Sequence, residues 1–208
     1  MTDMESISQP GTVDSASVGQ DAGALPMAET NRAPAYQYVL AFLMAVLGGL
    51  LGIIGAIFQE GQTTFGFLLL PFLGAPIIEE ALKPSGLYLA LLWWPRALNN
   101  QLFTAALCSI SGLVFGVIES LVYVTIYVED PSDGFILHRF TVTLALHTIA
   151  SFVVGLGVNR RVLDWAAGRM KLSKASRNFY IAGVAIHAIY NTSAVFLSIA
   201  GVLDFDEQ

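Results

Sequence analysis

Charge is scarce in this sequence. Of 208 residues, 12% are Asp, Glu, Lys or Arg, whereas 55% are hydrophobic and the mean hydropathy is +0.64. An ordinary soluble domain, about a quarter charged, is excluded, and the chain is expected in lipid. Cysteine is nearly missing as well: Cys108 stands alone and rules out an internal disulfide framework. No Lys or Arg falls between Met1 and Glu29. The basic segment of a secretory signal is therefore lacking, and the first apolar run is expected to be retained. There is no Gly-rich phosphate loop, no base-reading module and no internal repeat. Those absences speak against nucleotide chemistry, a nucleic-acid partner and a carrier built from paired halves. The HExxH helix signature of zinc peptidases is lacking too.

What is present is a succession of long apolar stretches. About 20 residues are needed to cross some 30 Å of hydrocarbon, and 36–58, 64–94, 102–128, 135–158 and 179–203 all qualify. The second, about 46 Å long as a straight helix, must tilt, break or re-enter, and Gly74-Ala75-Pro76 is the expected break. The fold class is thus all-α, a polytopic transmembrane helix bundle of about five to six spans with a broken or re-entrant second span. The organisation is one membrane domain, 36–203, between a disordered acidic tail, 1–35, and a short acidic tail, 204–208. Five acids against the single Arg32 give the first tail its character.

Basic residues orient the bundle. Arg160, Arg161, Arg169, Lys171, Lys174 and Arg177 oppose only Asp164, while Glu129, Asp130 and Asp133 dominate the loop before the fourth stretch. The basic loop is expected in the cytoplasm of a multi-pass cell-membrane protein, which puts the N-terminal tail there too. Contact with lipid headgroups is the expected role of that loop.

Several polar residues lie where they are expensive. An ionised side chain at mid-bilayer costs about 2.5–3.5 kcal/mol on insertion scales, yet Glu79, Glu80, Lys83, Glu119, His147, His187 and Asn191 all fall well inside apolar stretches. Lys83 is four residues from Glu79 and three from Glu80, so one ammonium compensates one carboxylate and leaves the other available. Pro84 removes the amide that would have bonded the carbonyl of Glu80 and weakens the helix at its most polar turn. Gly112 and Gly116 share a face with Glu119, a spacing that draws another helix close and points Glu119 inward. Thr143, His147, Ser151 and Gly155 form one stripe, and Gly183, His187 and Asn191 form another.

Peptide hydrolysis needs an activated water, oxyanion stabilisation and a proton donor for the leaving amine. Two arrangements of these residues supply them. A glutamate serves as general base and then acid, with His187 and Asn191 donating to the oxyanion. Alternatively Glu119, His147 and His187 hold Zn²⁺, leaving a position for water and Glu79 or Glu80 as base. A non-catalytic membrane scaffold and a proton- or cation-coupled carrier are the competing classes, since membrane histidines and carboxylates serve structure and relays as well.

Glu79-Glu80-x-x-Lys83, Phe115-Gly116-x-x-Glu119, His147 with Ser151 and Gly155, and His187-x-x-x-Asn191 resemble, in order and spacing, the motifs of the PrsW family of intramembrane proteases. The resemblance covers about residues 36–200 and extends to the CAAX-prenyl endopeptidase superfamily. It implies an intramembrane endopeptidase, metallo- or glutamic in type, acting on a membrane-anchored protein such as an anti-sigma factor. By that resemblance Glu79 and Glu80 are the water-activating pair, Glu119 and His147 hold water or metal, and His187 with Asn191 contacts the oxyanion or metal. Zn²⁺ is the cofactor of the metal version and the glutamic version has none, and Lys83 compensates charge.

Overall fold

The computed structural model describes residues 32–63 and 70–200, with side-chain surroundings for all of these except 58–63, 70, 71 and 198. Most of the 1–35 tail and all of 204–208 lie outside the described residues. Helix α1 (Ala35–Thr63) is followed by a π-helical turn (Leu70–Gly74), α2 (Ala75–Leu82) and α3 (Ser85–Trp93). Helix α4 (Gln101–Val122) runs into a second π-turn (Tyr123–Tyr127), and α5 (Asp133–His138) passes through a third (Arg139–Thr143) into α6 (Leu144–Gly155). Two short helices, α7 (Arg160–Ala166) and α8 (Leu172–Ala175), lead to α9 (Arg177–Ile199). The described residues contain no strand.

Among the described residues four helical segments are long and apolar enough to cross a bilayer: Ala35–Ile57, Gln101–Tyr127, Asp133–Gly155 and Arg177–Leu197. The described part of the 64–94 stretch, 70–94, is not among them because it is broken. Its break lies later than the sequence suggested. Gly74 is helical (φ −64°, ψ −45°), and Pro76 stands in the first turn of α2, where a missing amide costs least. The interruption comes instead at Lys83 and Pro84. The Lys83 amide still bonds the Glu79 carbonyl at 2.9 Å, Pro84 has no amide to give the Glu80 carbonyl, and the ladder restarts with Tyr88 bonding the Pro84 carbonyl at 3.0 Å.

The bundle is inverted in polarity relative to a soluble protein. Val39, Phe42, Leu43, Leu50, Ile54 and Ile57 of α1 are exposed, as are Ile181, Ile189 and Phe196 of α9. Glu79, Glu80, Lys83, His147 and His187 are buried. Only a hydrocarbon surround makes that distribution favourable, because there is no water outside to reward polar surface.

Close helix approach explains the small residues. Helices α1 and α3 pack so tightly that a Cβ on Gly86 would strike the Met44 carbonyl, and one on Gly48 the Lys83 carbonyl. Helices α4 and α6 meet at Gly112, where a Cβ would collide with the backbone carbonyl of His147 and the side chain of Ser151. Loop ends are capped by side chains: Asn100 accepts from the Phe103 amide at 3.0 Å, Ser132 from Phe135 at 3.2 Å and Asn159 from Arg161 at 2.9 Å. These contacts fix α4 against α6, so Gly112→Val should separate the two helices at the cost of about 1–3 kcal/mol, the usual penalty of overpacking. Thermal unfolding in detergent measures it, and an unchanged midpoint would contradict the close packing.

Candidate active site

Four helices, three of them spanning, deliver side chains to one point. Helix α2 supplies Glu79 and Glu80 on its last turn, with Lys83 just after it. Helix α4 supplies Phe115 and Glu119, α6 supplies His147 and Ser151, and α9 supplies His187, Tyr190 and Asn191. The imidazoles of His147 and His187 stand edge to face with centroids 4.9 Å apart. Asn191 and Glu119 line the same cavity as both histidines. All six residues singled out from the sequence are therefore neighbours of one centre.

The Lys83 ammonium holds that centre together. Its Nζ donates to Glu80 Oε1 at 2.6 Å and lies 3.3 Å from Glu79 Oε2 and 2.9 Å from His147 Nδ1. The Phe115 ring, its centroid 4.1 Å away, adds a cation–π contact. Ser111 donates its hydroxyl to the Lys83 carbonyl and ties the break to α4.

These bonds fix the tautomers. An ammonium has only donors, so His147 Nδ1 must accept from it, and the ring proton resides on Nε2. That Nε2–H donates to Glu119 Oε2 at 2.8 Å. His187 Nδ1 donates to Glu80 Oε1 at 3.0 Å, which leaves the lone pair on Nε2, 3.9 Å from Glu79 Oε2. Each imidazole is therefore gripped by a carboxylate on one nitrogen and turns its lone pair toward the interior of the cluster. Glu79 Oε2 is buried without a hydrogen bond, an oxygen poised to accept one from a further group.

Glu79, His147 and His187 each offer a ligand atom, and those atoms all lie within 4.8 Å of one another. Of the three residues the sequence suggested for a metal, His147 and His187 belong to this set. Glu119 takes a different position: its Oε2 receives both His147 and the Arg139 guanidinium, the latter at 2.8 Å. The His187 Nε2 lone pair and the Glu79 carboxylate oxygen are donors of the kind a catalytic dication takes, and the His147 Nδ1 lone pair, engaged by the Lys83 ammonium at 2.9 Å, joins them once that ammonium is displaced.

The cluster forms the inner wall of a cavity of about 390 Å³. Its outer wall comes from Ile53 and Ile57 of α1, Tyr127, Phe135 and Val195 of α9. Glu79 and Glu119 line it. Glu80 sits behind them, where Ser151 Oγ approaches its Oε2 at 3.4 Å.

A family model described as PrsW family intramembrane metalloprotease matches residues 33–205. The chain belongs to that family. A comparison with curated proteins and another with solved structures each return no match. As a PrsW-family protein it is a membrane hydrolase of the intramembrane protease class, and the scaffold and carrier readings fall away.

Sequence reasoning missed a polar layer at the cavity rim. Arg139 stacks over Tyr123, with its guanidinium carbon 4.0 Å from the ring centroid, while pairing with Glu119. Tyr190 Oη is 2.6 Å from Thr143 Oγ1 and 2.8 Å from His138 Nε2. Arg139 was legible as a base near the end of an apolar stretch that carries a carboxylate neighbour in the preceding one. Tyr190 carried no such signal.

The Lys83 network predicts a specific loss. Lys83→Met leaves two buried carboxylates uncompensated and should cost about 3–5 kcal/mol of stability. Lys83→Met/Glu80→Gln, which removes one of those charges, should recover a substantial part. Denaturation of the purified variants tests the pair, and equal stability of single and double variants would show that Lys83 is not the compensating charge.

Proposed function

We propose that this PrsW-family protease hydrolyses a peptide bond in or next to the membrane segment of an anchored protein, an anti-sigma factor being the type of substrate the family resemblance suggests. The observation that carries the reading is the convergence of two carboxylate-anchored imidazoles and a buried Glu79 oxygen that makes an ion pair with Lys83 but no hydrogen bond, on one cavity wall. Glu79, His147 and His187 would hold the metal, most simply Zn²⁺, with the Lys83 ammonium ceding His147 Nδ1 to it. Bound there, it would supply a Lewis acid for the scissile carbonyl and acidify a water.

The remaining residues have separate tasks. Glu119 faces the cavity and is the proton acceptor, returning the proton to the leaving amine. Arg139 and the His147 Nε2–H hold its carboxylate in place. Glu80 keeps His187 in the tautomer that presents Nε2, the arrangement by which carboxylates orient ligating histidines elsewhere. Asn191, four residues after His187 on the same face of α9, is the amide donor to the substrate carbonyl oxygen.

A second reading is favoured by Lys83, which already places a cation 3.3 Å from Glu79 and 2.9 Å from His147 Nδ1. In that reading Glu79 and Glu80 activate water without a metal, and His187 with Asn191 stabilises the oxyanion.

Orientation supports a site near the outer surface. The cavity is lined by Tyr123, Tyr127 and Phe135, which flank the acidic 129–133 loop, whereas the six bases lie between Arg160 and Arg177 at the far end of α6 and the start of α9. With the bases in the cytoplasm, as also proposed for the N-terminal tail, substrate enters from the extracytoplasmic side.

Glu79→Ala and Glu80→Ala should each cut processing of a membrane-anchored reporter by about 100-fold, whether they act as ligand and ligand-orienting carboxylate or as the water-activating pair, while both proteins remain inserted. Normal processing by both would remove the hydrolytic assignment. Metal content separates the two schemes. With a metal enzyme, Glu119→Gln keeps zinc near one per chain but loses cleavage, and His147→Ala loses both. An active preparation with far less than one metal per chain establishes the glutamate scheme.

A further inference from the structure

At the opposite end of the bundle lies a second cavity, also about 390 Å³. Tyr88, Leu91 and Leu92 of α3 form one side, Val162, Leu163 and Trp165 of α7 another, and Leu172, Arg177 and Tyr180 close it. The lining is apolar apart from Ser176, Arg177 and the tyrosine hydroxyls. Helices α7 and α8, of seven and four residues, are too short to span. Leu92, Trp165 and Leu172 are exposed at its edge, 58%, 43% and 40% respectively, an apolar lip that suits hydrocarbon.

The segment 160–177, which supplies much of the lining including Arg177, carries charge almost entirely of one sign. Arg160, Arg161, Arg169, Lys171, Lys174 and Arg177 are all exposed, and the single acid of the segment, Asp164, is spent on Arg169 at 2.7 Å. An apolar slot open at a membrane surface beneath a set of uncompensated bases complements a molecule with an anionic head and an aliphatic tail.

We propose that this cavity binds an anionic phospholipid from the leaflet at that end. The tail lies along Leu91, Leu92, Leu163 and Leu172, and the phosphate meets Arg177 and Lys174. The site is separate from the catalytic cavity yet shares a wall with it. Ala81, the residue after Glu80, lines the second cavity, and Tyr180, which also lines it, donates its hydroxyl to the Ile77 carbonyl of α2 at 2.7 Å. A bound lipid thus braces the helix that carries Glu79 and Glu80.

Native mass spectrometry of the full chain in neutral detergent, with dioleoyl-phosphatidylglycerol or dioleoyl-phosphatidylcholine added at equal concentration, tests the proposal. One phosphatidylglycerol should be retained in preference to phosphatidylcholine. Lys174→Ala/Arg177→Ala should weaken it about 25-fold, from about fivefold for each base near a membrane surface. Ala166→Phe, which fills the slot and leaves every base, should weaken it as well, with circular dichroism confirming that both variants are folded. Equal retention of the two lipids overturns the proposal. So does loss in the base variant alone, which describes surface charge without a slot, and displacement by excess inorganic phosphate, which describes an anion site. A dimer that excludes the lipid would assign the slot to a second copy of the chain.

Discussion

A single ammonium group, fully withdrawn from solvent between two glutamates and a histidine, sets the terms for this bundle. Lys83 Nζ lies 2.6 Å from Glu80, 3.3 Å from Glu79 and 2.9 Å from His147 Nδ1. In hydrocarbon each of these charged groups alone would cost several kcal/mol. Together they are tolerable only if the geometry is held, because the Coulombic return in a low-dielectric surround falls off quickly once the partners separate. The chain therefore has to bring α2 and α6 to one place at fixed distances. Glu119 and His187 extend the same network to α4 and α9, so four elements are bound by bonds that lipid cannot replace.

The small residues and the helix break follow from that demand. Residues such as Gly112 let α6 approach α4 closely enough for His147 to reach Glu119, and Gly48 lets α1 sit against the Lys83 carbonyl. The missing amide at Pro84 frees the Glu80 carbonyl and lets the chain turn between α2 and α3, so the acids end one helix instead of crossing the bilayer in the middle of another. Ser111 then satisfies the Lys83 carbonyl from a neighbouring helix. A straight helix through 70–94 would have offered no such opening in its backbone.

Much of this was legible in the sequence because lipid makes polar residues conspicuous. Glu79, Glu80, Glu119, His147, His187 and Asn191 announced themselves by cost, and their spacing of three or four along helices announced a common face. The break was harder to locate, since Gly74-Ala75-Pro76 and Lys83-Pro84 both contain a helix-disrupting proline. What decided it was position: Pro76 falls in a first turn, where its amide is not needed, and Pro84 falls where the amide is. The division of labour among the acids was not legible at all. Spacing says that Glu79 and Glu80 share a turn, but only three-dimensional contacts reveal that Glu80 grips His187 while Glu79 faces the cavity. Tyr190 was hidden for a related reason: a tyrosine in an apolar stretch is ordinary until its hydroxyl is found between Thr143 and His138.

The two cavities make sense of why α2 is so short. At eight residues it is too brief to be anchored by length, and it is positioned by what touches it at each end. The catalytic network fixes its acidic turn from α4, α6 and α9. On the other side, Tyr180 takes hold of the Ile77 carbonyl, and Ala81 borders the basic, apolar-walled slot. A long spanning helix would average such local forces over many turns. In α2 the Ile77 carbonyl that Tyr180 holds and the Glu79 and Glu80 carboxylates lie within about one turn of helix, so the contacts at the basic end and the buried acids bear on the same short stretch of backbone.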